Sequence, residues 1–159
     1  MTGRPPEVGS PTFFRAALLA LAGVTTAGTA IELAMARHWQ SLEQGIPWIA
    51  IAAMSVAVVL VMRNAGPRRV QAARALAATA FVLGCAGVWR HVAGNYDAAP
   101  LDAHYGLIWD QMSSLARWWA AFIDSVGPSP TFAPMVLAQA AVCLLLSTIG
   151  SPGIEPAGE

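Results

Sequence analysis

Hydrophobic residues along this chain are gathered into long blocks that alternate with short polar connections. Four such blocks cover about residues 13–35, 46–62, 75–93 and 132–149. A helix that crosses a hydrocarbon core needs about 20 apolar residues, with about 17 as the lower limit. The pattern therefore predicts an all-α integral membrane four-helix bundle. We expect a single four-span domain over 13–149, a disordered N-terminal tail over 1–12 and a C-terminal tail over 150–159.

The longest connection separates the third and fourth blocks, and its second half has helical period. Apolar residues recur there at steps of three or four, and they are Ile108, Met112, Leu115, Trp119 and Ile123. Charges at Asp110, Arg117 and Asp124 argue against a fifth crossing. The segment over about 104–124 is therefore predicted to be an amphipathic helix in the outer interface, with Trp118 off its apolar stripe.

The arginines are distributed unevenly between the two ends of the predicted spans. Three of them flank one face: Arg37, Arg90 and Arg117. Six flank the other: Arg4, Arg15, Arg63, Arg68, Arg69 and Arg74. Positive residues are enriched on the cytoplasmic side of membrane proteins. The distribution predicts a multi-pass protein of the plasma (inner) membrane with both termini in the cytoplasm.

A competing interpretation concerns the N-terminus. Arg4 and Arg15, the apolar run that follows and the small residues Gly28 to Ala30 also fit a cleaved signal peptide. Apolar character continues past that point to Met35, which favours a membrane span. Cleavage would leave three spans instead of four.

Composition adds limits on the class of protein. Hydrophobic residues make up 56% of the chain and charged residues 11%, and the formal net charge is zero. This balance argues against a nucleic-acid partner. Cys85 and Cys143 lie inside apolar blocks, where a reduced thiol packs as a small hydrophobic group.

Glu32 is the most unusual single residue, because an ionisable group inside an apolar block normally faces a partner, water or the bundle interior. Glu32 lies 17 residues after Arg15, and His91 lies 17 residues after Arg74, so the two residues are predicted at similar depth. The favoured interpretation is a structural polar cluster near the outer ends of the helices. Its members are Glu32, Arg90, His91 and Gln139.

Two functional interpretations compete with this structural one. The first is a haem or divalent-metal site of a redox protein, with ligands drawn from Glu32, His38, His91 and His104 and with Asp97 or Asp102 as further oxygen donors. No two of these histidines have the spacing of a specific ligand motif. The second is proton or small-solute handling through Glu32 and His91, which requires a water path.

The tryptophans suggest where a specific contact lies. All six are placed by the predicted topology at or beyond the outer face, and they are Trp39, Trp48, Trp89, Trp109, Trp118 and Trp119. Tryptophan serves both interfacial anchoring and protein contact. Phosphate loops, paired CxxC motifs, HExxH and nucleophile elbows are absent from the sequence, and no catalytic residue is predicted. The sequence favours a non-enzymatic accessory or interaction subunit of a membrane assembly, whose partners are the bilayer and a membrane protein that contacts the Trp-rich outer surface.

Overall fold

The chain is all-helical over the residues that its computed structural model describes, which are 8–63, 66–123 and 125–150. Five α-helices occur in this part of the chain, namely α1 (Pro11–Met35), α2 (Leu42–Met62), α3 (Pro67–Ala98), α4 (Ser114–Phe122) and α5 (Met135–Ser147). Three short 3-10 turns, Ala99–Leu101, Tyr105–Leu107 and Trp109–Gln111, connect α3 to α4. The predicted all-α class is confirmed. Most of the two predicted tails and Asp124 lie outside the described residues.

Local sequence signals explain where the first two helices begin. The Ser10 hydroxyl accepts a hydrogen bond from the Phe13 N–H at 3.2 Å, and the Ser41 hydroxyl accepts one from the Gln44 N–H at 3.3 Å. Such serine caps satisfy backbone donors that have no partner within the helix. Both helices therefore begin earlier than the apolar blocks alone predict.

Three helices are long and apolar enough to cross a membrane, and they are α1, α2 and α3 with its 3-10 extension to Leu101. At 1.5 Å per residue, α1 is about 37 Å long and α2 about 31 Å, against about 30 Å for a hydrocarbon core. Many of their large apolar side chains are exposed, including Val24, Ile49 and Val82. An apolar surface of this extent suits contact with lipid and not with water.

The predicted fourth span is represented by a shorter helix. α5 has 13 residues, whereas the apolar block covers about 132–149. Its rise is about 20 Å. Length and composition alone therefore identify three candidate spans, and the fourth crossing stays a prediction.

The chain divides into two compact units, whereas the sequence pattern predicts one domain over 13–149. Unit 1 contains the described residues of Met1–Leu83 and Val136–Glu159, and unit 2 is Gly84–Met135. The boundary falls inside α3, between Leu83 and Gly84.

Unit 1 has a core made largely of alanine, to which α1, α2, the first part of α3 and α5 all contribute. The fully buried small residues of this core are Ala22, Ala50, Ala57, Ala73, Ala77, Ala80, Ala140 and Ala141. Met54 and Leu144 fill the remaining space. Small side chains let helices approach closely, which is the main source of packing between helices in lipid.

Two arginines meet the C-terminal end of α5 in unit 1. Arg74 donates hydrogen bonds from Nε to the Thr148 hydroxyl at 2.8 Å and from Nη2 to the Thr148 carbonyl at 3.1 Å. The Arg15 guanidinium lies against Gly150. A cation at this position satisfies free carbonyl groups and complements the helix dipole. The beginnings of α1 and α3 and the end of α5 therefore lie at one end of unit 1.

Unit 2 corrects the expectation of a continuous helix over 104–124. Its first half forms two 3-10 turns, and α4 begins only at Ser114, where the Ser113 hydroxyl accepts a hydrogen bond from Ala116 N–H at 3.3 Å. Because the turns change the helical phase, the predicted stripe does not lie on one face of one helix. Leu115, Trp119 and Ile123 are exposed, whereas Trp118 is half-buried.

Candidate functional site: the aromatic unit

Four aromatic rings form the centre of unit 2. Trp118 is stacked between Trp89, with ring centroids 5.4 Å apart, and Tyr96, with centroids 4.3 Å apart. Trp109 meets the Tyr96 ring edge-on at 5.3 Å. Trp89 and Tyr96 are seven residues apart on α3, so they lie on one face of that helix two turns apart. Offset-stacked and edge-to-face pairs are the favoured arrangements of aromatic rings.

The tryptophans of unit 2 therefore have two different environments. Trp109 is buried, and Trp118 fills the space between α3 and α4. Trp89 and Trp119 are each 60% exposed. The predicted Trp-rich surface is thus partly a core.

An open apolar groove of about 460 Å³ runs between α3 and α4. Every side chain that lines it is apolar or a thiol, and they are Cys85, Val88, Trp89, Val92, Leu115, Trp118, Trp119 and Phe122. The wall formed by α4 consists of side chains at i, i+3, i+4 and i+7 from Leu115, which is one face of a helix. This face is largely exposed within unit 2.

A second face of α3 holds the segment that follows α4. Gly87, His91 and Asn95 are spaced by four residues and lie on one strip of the helix. A Cβ added at Gly87 would lie 2.7 Å from the Cβ of Pro134, so only glycine permits this close approach. The Nδ1–H of half-buried His91 donates a hydrogen bond to the Pro130 carbonyl at 2.8 Å.

Asn95 is the polar centre of this contact and is fully buried. Its Nδ2 donates to the Ser129 carbonyl at 2.8 Å and to the Thr131 hydroxyl at 3.3 Å, and its Oδ1 accepts from the Ser129 N–H at 2.9 Å. The chain reaches this position through Gly127, which has a φ of 85° and leaves no space for a Cβ beside Asn95. Sequence reasoning missed Asn95, and its only signal was a lone amide near the end of an apolar helix.

Asp102 organises the turn that follows α3. Its Oδ1 accepts hydrogen bonds from the backbone N–H groups of Tyr105 and His104, both at 2.8 Å. These bonds, that of Tyr105 first, lower the pKa of the Asp102 carboxyl below its ordinary value. Asp102 thus has a structural partner in this structure.

The residues of the predicted polar cluster are divided between the two units. Glu32 and Gln139 are exposed in unit 1, and Arg90 is exposed and His91 half-buried in unit 2. Their predicted association stays a prediction.

The candidate metal ligands are similarly divided. His38 is half-buried in unit 1, where its carbonyl accepts a hydrogen bond from Trp48 Nε1 at 2.7 Å, and His104 is exposed in unit 2 beside the Tyr105 ring. Within the described part of the chain, no three His, Cys, Asp or Glu side chains lie close enough together to hold a metal ion.

Comparisons with protein-family models, with curated proteins and with solved structures give no match for this chain.

Proposed function

We propose that this protein is a multi-pass protein of the plasma membrane that acts as a non-enzymatic accessory or interaction subunit of a membrane assembly. The proposed topology has four crossings and cytoplasmic termini. α1, α2 and α3 supply three crossings. α5 supplies the fourth together with the turns at its two ends, in which Thr131 and Thr148 are buried and hydrogen-bonded. Non-helical backbone is tolerated at membrane depth where protein buries it.

The arginines support this orientation. Arg15 and Arg74 lie at the end of unit 1 where α5 finishes, and Arg68 and Arg69 are exposed in the first turn of α3. Arg63 directly follows the last residue of α2. A basic cluster of this kind is typical of the cytoplasmic side.

The observation that carries the interaction role is the exposed Leu107 in the turns after α3. Its side chain is 82% exposed. Nearby, buried Trp109 and the Asp102 hydrogen bonds hold the segment in place. An apolar side chain exposed on an ordered segment outside the predicted spans is a position where a partner protein can bury apolar surface.

Site-specific photo-crosslinking in native membranes tests this role. A photoreactive residue at position 107 should give a discrete adduct with one membrane protein, and Leu107→Asp should prevent co-purification of that protein. The same probe at Gln111, which is exposed in the same segment, is the matched control. Adducts with lipid alone at position 107, or equal adducts at both positions, would contradict the proposal.

Haem or metal binding is the alternative function, and the hydrogen bond made by His91 is the observation that favours it. In the neutral tautomer that donates from Nδ1 to the Pro130 carbonyl, Nε2 of His91 is left with the lone pair that a metal requires. An optical spectrum and metal analysis of the detergent-purified protein separate the two functions. An accessory subunit shows neither a haem absorption band nor stoichiometric metal, whereas either signal, lost in His91→Ala, would favour the redox alternative.

A further inference from the structure

We propose that the groove between α3 and α4 is a binding site for one acyl chain of a membrane phospholipid. The inference depends on the membrane crossing of α3, and it is independent of the accessory role and of any partner at Leu107.

The chemistry of the groove selects a hydrocarbon ligand. Its lining consists only of aliphatic and aromatic side chains and the Cys85 thiol, so no charged or amide group is available to orient a polar molecule. Its volume of about 460 Å³ is within the usual range for a site that holds one small ligand. The stacked Trp89 and Trp118 rings form part of the wall, and Trp118 is held between Trp89 and Tyr96.

The position of the groove along α3 places it within reach of lipid chains. The groove residues Cys85 to Val92 lie inside the segment Pro67–Leu101, which is long and apolar enough to cross a membrane. If this segment crosses the bilayer, its exposed apolar side chains face the hydrocarbon chains of the lipids.

The dimensions of the groove fit one hydrocarbon chain. The groove follows α3 from Cys85 to Val92, which is about 10 Å of helix. A hydrocarbon chain, whose contacts with carbon atoms are about 4 Å long, is narrow enough to lie between the two helix faces.

Lipid retention in a groove-filled variant tests the proposal. The wild-type protein and three variants are reconstituted in vesicles of palmitoyl-oleoyl phosphatidylcholine, extracted in a mild detergent and analysed by mass spectrometry for bound phospholipid. Cys85→Phe places a ring in the groove, since Cys85 is exposed and lines it. Val82→Phe is the matched control, because Val82 is 62% exposed on the same helix and does not line the groove.

We expect the wild-type protein and Val82→Phe to retain one phospholipid per chain, and Cys85→Phe to retain several-fold less. Vesicles with chains brominated near their midpoint give a second readout, because quenching of tryptophan fluorescence should fall in Cys85→Phe and not in Val82→Phe. Leu115→Ser, which removes part of the α4 wall at an exposed position, should also lower retention without filling the groove.

Equal lipid content in all four proteins would overturn the proposal. A disulfide between Cys85 residues of two chains under mild oxidation, with no retained lipid, would overturn it in favour of a second copy in the groove. A partner protein crosslinked from position 115 in place of lipid would likewise assign the groove to protein contact. Loss of the Leu107 adduct, by contrast, would affect only the accessory role.

Discussion

At the scale of single residues, the buried amide of Asn95 has the largest consequence for unit 2. Its hydrogen bonds to the Ser129 backbone and the Thr131 hydroxyl replace those that these groups would otherwise make with water. A buried polar group left without a partner costs about 1–3 kcal/mol.

Asn95→Leu should therefore lower the free energy of unfolding by at least about 1–3 kcal/mol, because the new side chain has the same number of heavy atoms and no hydrogen-bonding group. The loss is measured by tryptophan fluorescence during detergent-induced unfolding. Thr79→Val is the control, since the exposed Thr79 hydroxyl bonds only the Ala75 carbonyl of its own helix. An equal loss in both variants would show that Asn95 has no special role.

The hydrogen bonds that the Asp102 carboxylate accepts predict that the turn after α3 is less stable in acid. The pKa of the Asp102 carboxyl is lowered in the folded protein. The charged carboxylate therefore stabilises the turn at pH values above its ordinary pKa of 3.8. This contribution is lost as pH falls through the lowered pKa.

Amide hydrogen exchange measures the effect at His104 and Tyr105, after correction for the intrinsic exchange rate. Protection should be present at neutral pH and fall in acid for the wild-type protein. Asp102→Asn keeps an acceptor oxygen that does not titrate, so its protection should be nearly independent of pH. A wild-type protein with unchanged protection in acid would contradict the assigned role.

At the scale of elements, the end of α5 depends on a residue from another helix. The Arg74 guanidinium supplies two hydrogen bonds to Thr148, which is buried. Hydrogen bonds to a charged group contribute about 1.5–3 kcal/mol each where the group is well ordered.

Arg74→Gln should consequently destabilise unit 1 by at least about 1.5–3 kcal/mol and increase fraying at the end of α5. Arg69→Gln removes the same charge from the first turn of the same helix, where the side chain is exposed, and should cost much less. Unfolding in detergent together with hydrogen exchange of residues 144–150 compares the two. Similar destabilisation and fraying in both variants would show that the stability of this end depends on the positive charge and not on the contact with Thr148.

At the scale of the whole molecule, the four-crossing topology makes a direct prediction. Reporter fusions after Gly66 and after the C-terminus should report the cytoplasm, and accessibility labelling of a cysteine at Asp97 should report the outer side, because the basic residues stay inside. A C-terminal reporter on the outer side would exclude four crossings. N-terminal sequencing of the mature chain distinguishes the signal-peptide interpretation, in which residues 1–30 are removed.

The sequence alone determined the all-helical class and three helices long and apolar enough to cross a membrane. These features depend on local properties: the apolar content of a helix-length segment and the serine and proline residues at its start. Helical periodicity over 104–124 predicted the structure of that segment less well. The 3-10 turns at Tyr105 and Trp109 change the helical phase, and no clear sequence signal marks them.

Only the tertiary structure decided which side chains of the aromatic unit face inward. Trp118 is off the predicted apolar stripe, yet it is stacked between Trp89 and Tyr96. Asn95 bonds Ser129 across 34 residues of sequence, and His91 bonds Pro130 across 39. Contacts between residues so far apart depend on how the connecting chain turns, and periodicity within one helix carries no information about that path.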